Sequence, residues 1–62
     1  MKSKRYRVEV RARRSDPWEI VYYTNSLPVA KLSAAGVRKA RNIHHTQVVD
    51  QTTETVMSYD PT

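Results

Sequence analysis

The segment from residue 5 to residue 13 alternates strictly between two kinds of side chain. Successive side chains of a β-strand point to opposite faces of its sheet, so this period of two predicts a half-buried strand. A disordered basic arm would have no reason to keep such a period. The apolar side would be Tyr6, Val8, Val10 and Ala12, and the charged side Arg5, Arg7, Glu9, Arg11 and Arg13.

A second strand is predicted after a turn. Ser15, Asp16 and Pro17 favour turns, and residues 18–24, WEIVYYT, are rich in aromatic and β-branched side chains. A register shifted by one residue would place Trp18, Ile20 and Tyr22 among the arginines, so burial favours the other register. We therefore expect Ala12/Trp18, Val10/Ile20 and Val8/Tyr22 on the apolar face, with Arg11/Glu19, Glu9/Val21 and Arg7/Tyr23 on the charged face.

The following segment has the period of an amphipathic helix of about four turns. Ser26 is a candidate N-cap, and Pro28 is tolerated in the first turn. Gly36 lies on the apolar stripe, which predicts a close approach of helix and sheet over Trp18. At about 100° per residue, the stripe comprises Val29, Leu32, Ser33, Gly36, Val37, Ala40 and Ile43.

Residues 46–59, TQVVDQTTETVMSY, predict two more short strands. Asp50 suits an Asx turn with Thr52 and Thr53 at the tip, and two registers of the valines remain open. The element order β-β-α-β-β predicts an α+β protein. Its simplest topology is a four-stranded antiparallel sheet in the order 2-1-3-4 with the helix on one face. The first strand is then central, and its arginines lie on the face that the helix leaves open.

Sixty-two residues limit the fold to one domain spanning residues 1–62, with flexible tails at 1–3 and 60–62. A chain of this size buries only roughly 60% of its unfolded surface. The sequence has no Cys, so close packing or a homodimer must stabilise it. It also lacks a long apolar run, which predicts no membrane segment. With no apolar stretch after its basic start, a cytoplasmic location is expected.

Basic residues are concentrated in two parts of the chain. The formal net charge is +5, and seven of the eleven Lys and Arg residues lie in the first fourteen positions. This asymmetry predicts a polyanionic partner, either nucleic acid (DNA or RNA) or an acidic protein surface. Alternate strand residues lie about 6.6 Å apart, so we expect a row of donors for phosphates. The predicted binding residues are Arg5, Arg7, Arg11 and Arg13, with Tyr23 beside Arg7 for base stacking.

Two other features favour less specific interpretations. A second basic cluster, Lys31, Arg38, Lys39 and Arg41, would lie on the outer side of the helix, where a solvated surface is the simpler account. A solvated sheet face is likewise the alternative for the arginine row. His44 and His45 are adjacent and lack further ligands, so no metal site is predicted. No motif for catalysis or for a cofactor is present, and we expect neither.

The C-terminal segment VVDQTTETVM, residues 48–57, follows a short alanine-rich helix and resembles the final hairpin of many small phage and prophage proteins. These often have the pattern V-V-D-x-x-T-x-E-x-V, with Gly common where this chain has Thr53. The resemblance is one of layout and carries over no functional residue. It implies a phage setting, in which such proteins often modulate a host enzyme such as RNA polymerase, a nuclease or a restriction system. Others bind DNA.

The sequence thus predicts a non-enzymatic binding protein. The first hypothesis is nucleic-acid binding through the arginine face, mostly by phosphate contact. The alternative is a phage-type inhibitor or modulator that docks on a host enzyme, located in the host cytoplasm. A third class is an assembly component that oligomerises through a sheet edge.

Overall fold

The computed structural model describes residues 4–43 and 45–60. Its sheet has the strand order β2-β1-β3-β4 with every neighbouring pair antiparallel, and the helix packs on one face. The predicted α+β class, the β-β-α-β-β order and the sheet order 2-1-3-4 are confirmed. The elements are β1 (Tyr6–Arg11), β2 (Glu19–Thr24), α1 (Leu27–Arg41), β3 (His45–Asp50) and β4 (Thr55–Asp60).

The ends of the chain differ slightly from the expectation. β4 extends through Asp60, which the sequence had assigned to the C-terminal tail. The remaining tail residues, 1–3 and 61–62, and His44 lie outside the described residues. No helix in the described part of the chain is long and apolar enough to cross a membrane.

The core lies between β1, β3 and α1. The buried cluster joins Tyr6 and Val8 of β1 to Val48 of β3 and to Ala30 and Ala34 of α1. The largest fully buried side chains are valines, so the core is thin. The alternation of β1 predicted its contribution to the core correctly for Tyr6, Val8 and Val10, whereas Ala12 lies beyond the strand and is exposed.

The first hairpin departs from the predicted register at Val21. Val8 pairs with Tyr22 and Arg7 with Tyr23, as expected, but Glu9 pairs with Ile20 and Val10 with Glu19. Val21 is the extra residue of a β-bulge, which lets two residues of one strand oppose one of the other. Val21 packs against the core cluster in the place expected for Ile20. The predicted pairs Ala12/Trp18, Val10/Ile20, Glu9/Val21 and Arg11/Glu19 are therefore wrong.

The helix begins as predicted but presents a different side to the sheet. The Ser26 side chain accepts a hydrogen bond from the Val29 N–H at 3.4 Å, which confirms the N-cap. The buried helix residues, however, are Ala30 and Ala34, one position beyond the predicted stripe. One residue corresponds to a rotation of about 100°. Small alanine side chains let the helix backbone lie close to the valine-rich sheet.

This rotation leaves several apolar helix residues in solvent. Leu32 is 73% exposed, and a Cβ atom added to Gly36 would have no atom within 4 Å. The expectation that Gly36 permits a close approach over Trp18 is therefore wrong. Trp18 belongs to the opposite face of the sheet, because it stacks on Arg11.

The second hairpin settles the register that the sequence left open. Val48 pairs with Ser58 on the helix side, and Val49 pairs with Val56 on the other side. Met57 is the extra residue of a second bulge between them. The expected Asx turn is confirmed, because Asp50 Oδ1 accepts a hydrogen bond from the Thr52 N–H at 2.9 Å.

Candidate functional site

The face of the sheet that α1 does not cover, called the open face below, mixes aromatic, aliphatic and charged side chains. The register of the three strand pairs and the contacts of Trp18 define it. Its large apolar groups are well exposed: Ile20 43%, Tyr23 46%, Val56 50% and Tyr59 45%. The other members are Arg7, Glu9, Arg11, Trp18, His45, Gln47 and Val49.

Arg7 is the centre of an ion-pair network on the open face. Its Nε lies 3.1 Å from Glu9 Oε2, and its NH2 lies 3.3 Å from Glu54 Oε1. Glu9 is only 7% exposed and also accepts a hydrogen bond from Gln47 Nε2 at 2.6 Å. A buried charge is tolerated when it is paired and hydrogen-bonded. The positive charge of Arg7 is thus compensated within the protein.

The pKa of Arg7 reflects this network. Burial by itself would lower the pKa of the guanidinium. The hydrogen bond that Arg7 donates to Glu54 and the negative charge of Glu9 outweigh burial and raise the pKa above its ordinary value.

Trp18 reaches across the sheet and covers Arg11. The Arg11 guanidinium carbon lies 4.1 Å from the centre of the Trp18 ring, within the range of a cation–π contact. The edge of Trp18 meets the Tyr59 ring at a centroid distance of 6.3 Å and an interplanar angle of 80°. Since Trp18 adjoins β2 and Tyr59 belongs to β4, these two rings bridge the width of the open face.

Arg5 and Arg13 do not extend the row of arginines. Arg5 precedes β1 and donates from Nε to Asp50 Oδ2 at 3.2 Å, while its guanidinium lies 5.3 Å from the centre of the Tyr6 ring. Arg13 lies in the turn after β1, with its Nε 3.7 Å from Asp16 Oδ2. The structure therefore brings only Arg7, Arg11 and Tyr23 of the five predicted residues together on the strands of the open face.

The charges of the open face balance. Among the described residues of this face, two arginines face two carboxylates: Arg7 and Arg11 against Glu9 and Glu54, which reaches the face from the β3–β4 turn. The sequence did not predict this balance, because Glu54 is 47 residues away from Arg7. The positive surplus of the protein lies elsewhere on its surface.

The helical basic cluster divides into two parts. Arg41 points toward β2, where its NH1 lies 3.4 Å from Glu19 Oε2. Lys31, Arg38 and Lys39 line a groove on another side of α1. No group of three or more metal-ligating side chains occurs within residues 4–43 and 45–60.

The residues that sequence analysis missed are Trp18, Ile20, Val56 and Tyr59. The first two were assigned to the core because the Val21 bulge is not visible in the alternation of β2. Tyr59 carried a usable signal, since Val49, Val56 and Tyr59 could have been tested for a second apolar face. The strong enrichment of β2 in aromatic side chains was a further sign that both of its faces are apolar.

No protein-family model matches the chain, and no curated protein or solved structure shows a significant match to it. The fold and the open face define a small α+β protein with one uncovered sheet surface of mixed aromatic, aliphatic and charged side chains. The phage setting, the cytoplasmic location and the homodimer stay predictions.

Proposed function

We propose that this chain is a non-enzymatic binding protein that docks on another protein through the open face. The supporting observation is the combination of five large apolar side chains with a balanced set of ion pairs. The centres of protein–protein interfaces are enriched in aromatic residues and Arg and depleted in unpaired charge. The apolar anchors are Trp18, Ile20, Tyr23, Val56 and Tyr59.

The proposed partner presents an apolar surface with few charges at its centre. A polyanion fits this face less well, because phosphate would compete with Glu9 and Glu54 for Arg7. The resemblance to small phage proteins suggests that the partner is an enzyme of the host cell. The role we propose is therefore modulation of that enzyme by surface binding.

A pull-down from host lysate, performed with and without nuclease, tests this function. We expect a specific protein to be retained after nuclease treatment by the wild-type chain. The double variant Tyr23→Ala, Tyr59→Ala removes two exposed rings of the open face and should lose that protein. Leu32→Ala removes an exposed apolar side chain from the helix, on the opposite side of the sheet; it is the control and should retain that protein. Capture that disappears with nuclease, or that the double variant leaves unchanged, would contradict protein docking through this face.

Single-stranded nucleic acid is a second candidate for the same face. The observation that favours it is the group of three aromatic rings, Trp18, Tyr23 and Tyr59, with Arg11 stacked on one of them. Stacking of a base on an aromatic ring contributes roughly 1–3 kcal/mol. This mode differs from the phosphate row predicted from the sequence, because the rings and not the arginines would supply most of the affinity.

Labelled single-stranded and duplex oligonucleotides distinguish the two candidates. If bases stack on the open face, single strands should bind better than duplexes at ~50 mM salt, and Tyr23→Ala should weaken binding more than Arg13→Ala. Absence of any shift with DNA or RNA under these conditions would exclude the nucleic-acid function. Equal loss with both variants would indicate phosphate contact in place of stacking.

A further inference from the structure

A groove of about 460 Å³ lies between α1 and the β3–β4 side of the sheet. It exists because α1 packs mainly over β1, β3 and β2, so that β4 extends beyond the helix. Ala34 and Ala35 line the helical side of the groove, and their small side chains leave its space open. Its volume falls within the range of roughly 300–1,000 Å³ that is usual for ligand pockets. Its polar lining consists of Lys31, Arg38, Lys39, Asn42, Thr46 and Ser58.

The lining of this groove is suited to an anion. Lys31 and Lys39 are exposed at its rim. Hydroxyl groups come from Thr46, which is buried, and from Ser58, which is half-buried. Asn42 adds an amide. Two ammonium groups and several neutral donors match a ligand with many acceptor oxygens, and Lys is a common phosphate ligand in proteins.

The helix dipole places a constraint on such a ligand. The C-terminal end of a helix carries a partial negative charge, which repels anions. In α1 the last turn holds Arg38, Lys39 and Arg41 and no acidic residue. Arg41 pairs with Glu19, whereas Lys39 is exposed at the groove, where it offsets the dipole and favours an anion.

We propose that this groove binds a phosphorylated small molecule of mononucleotide size. The phosphate contacts the Lys31 and Lys39 ammonium groups, and the hydroxyls of Thr46 and Ser58 contact its polar body. Ala34, Ala35 and Ile43 provide the hydrocarbon surface for the apolar part of the ligand. Binding of this ligand is independent of the docking function, because the groove and the open face lie on opposite sides of the sheet: Thr46 pairs with Val10, and Ser58 with Val48, on the helix side.

A ¹⁵N–¹H NMR titration at constant ionic strength tests the proposal. The probes are inorganic phosphate, pyrophosphate, AMP and ATP. We expect saturable shifts of the amides of residues 31–42, 46 and 58. Larger shifts with the nucleotides than with phosphate would support mononucleotide size. No saturable shift with any probe at concentrations of about 10 mM would overturn the proposal, as would shifts confined to the open face.

Three variants distinguish a specific binding site from general charge attraction. Lys31→Ala should weaken nucleotide binding about tenfold, since hydrogen bonds to charged groups are the strong ones. Arg14→Ala removes the same charge from an exposed turn outside the groove and should bind as the wild type does. Ala35→Leu keeps the charge and the helix propensity but fills the groove, so it should abolish binding. Equal weakening of nucleotide binding by Lys31→Ala and Arg14→Ala would overturn the proposal. Both positions are exposed, so this comparison tests the proposal even if Ala35→Leu does not fold.

Discussion

Asp50, together with Gln51, connects the β3–β4 turn to the start of β1. Its Oδ1 accepts from the Thr52 N–H at 2.9 Å, and its Oδ2 accepts from Arg5 Nε at 3.2 Å. Asp50 is 2% exposed, and burial by itself would raise its pKa. The hydrogen bonds from Thr52 and Arg5 outweigh burial, so the pKa of Asp50 lies below its ordinary value.

This lowered pKa predicts an acid-sensitive component of stability. A carboxyl with a lower pKa in the folded state stabilises the protein above its unfolded pKa of about 3.9. The stabilisation is lost as the pH falls from about 4 through the folded pKa. We expect Asp50→Asn to reduce stability at pH 7 and to flatten the dependence on pH below about 4. Urea unfolding between pH 2 and pH 7 measures both effects, with Asp16→Asn in the first turn as the control. A variant with the same acid profile as the wild type would contradict this role.

Glu54 adopts a left-handed backbone conformation, with φ 55°. This conformation costs a residue with a Cβ atom roughly 1–2 kcal/mol, and glycine adopts it freely. In this chain Glu54 adopts the strained conformation, and its Oε1 lies 3.3 Å from Arg7 NH2.

Two substitutions of Glu54 separate strain from ion pairing. The exposed pair with Arg7 contributes about 0–1 kcal/mol, so relief of strain should outweigh its loss. Glu54→Gly is therefore expected to be as stable as the wild type or up to about 1 kcal/mol more stable. Glu54→Gln keeps the strain and loses the charge, and it should be slightly less stable. Urea unfolding compares the variants, and a Glu54→Gly protein less stable than Glu54→Gln would contradict this ranking.

At the scale of elements, the two bulges explain where sequence reasoning succeeded and failed. The alternation of β1 predicted its two faces, and the pairs Val8/Tyr22 and Arg7/Tyr23 were correct. A bulge at Val21 adds a residue without changing the composition of β2, so periodicity alone could not reveal it. The predicted register required that only one face of the hairpin be apolar. Trp18 and Ile20 have apolar neighbours on the open face as well. Burial of apolar side chains therefore could not distinguish the predicted register of the first hairpin from the observed one.

The helix illustrates the same limit. Its start was predictable from Ser26 and Pro28, whose chemistry is local. Its rotation was not, because α1 has apolar residues on more than one side. The alanine side fits closest to the sheet, whereas Val29 and Leu32 remain exposed.

Gly36 provides a test of this rotation. It is exposed, lies in the interior of α1, and has space for a methyl group. Gly36→Ala should therefore stabilise the protein by up to about 1 kcal/mol through helix propensity. If the helix packed as the sequence suggested, the added methyl would meet the sheet and the variant would lose stability. Thermal unfolding followed by circular dichroism measures the change, with Ala35→Gly as the reverse control on an exposed neighbouring position.

At the scale of the whole molecule, the two sides of the sheet have different chemistry. The open face is apolar with balanced charges, and the groove beside α1 is basic. The sequence predicted that Arg7, Arg11 and Tyr23 share the uncovered face. It could not predict the partners of these arginines, because the pairs Arg5/Asp50 and Arg7/Glu54 join residues 45 and 47 positions apart. Long-range pairing thus gives Arg5 and Arg7 carboxylate partners within the protein, which is one reason for the proposal of protein docking.

The aromatic part of the open face depends on the position of Trp18. Trp18 is the only tryptophan of the chain, so its indole signals in a ¹H NOESY spectrum are unambiguous. We predict cross-peaks from the indole to the Tyr59 ring and to the Arg11 side chain, in keeping with the contacts at 6.3 Å and 4.1 Å between group centres. Cross-peaks to Ala34 or Gly36 of the helix would place Trp18 in the core and contradict the existence of an aromatic open face.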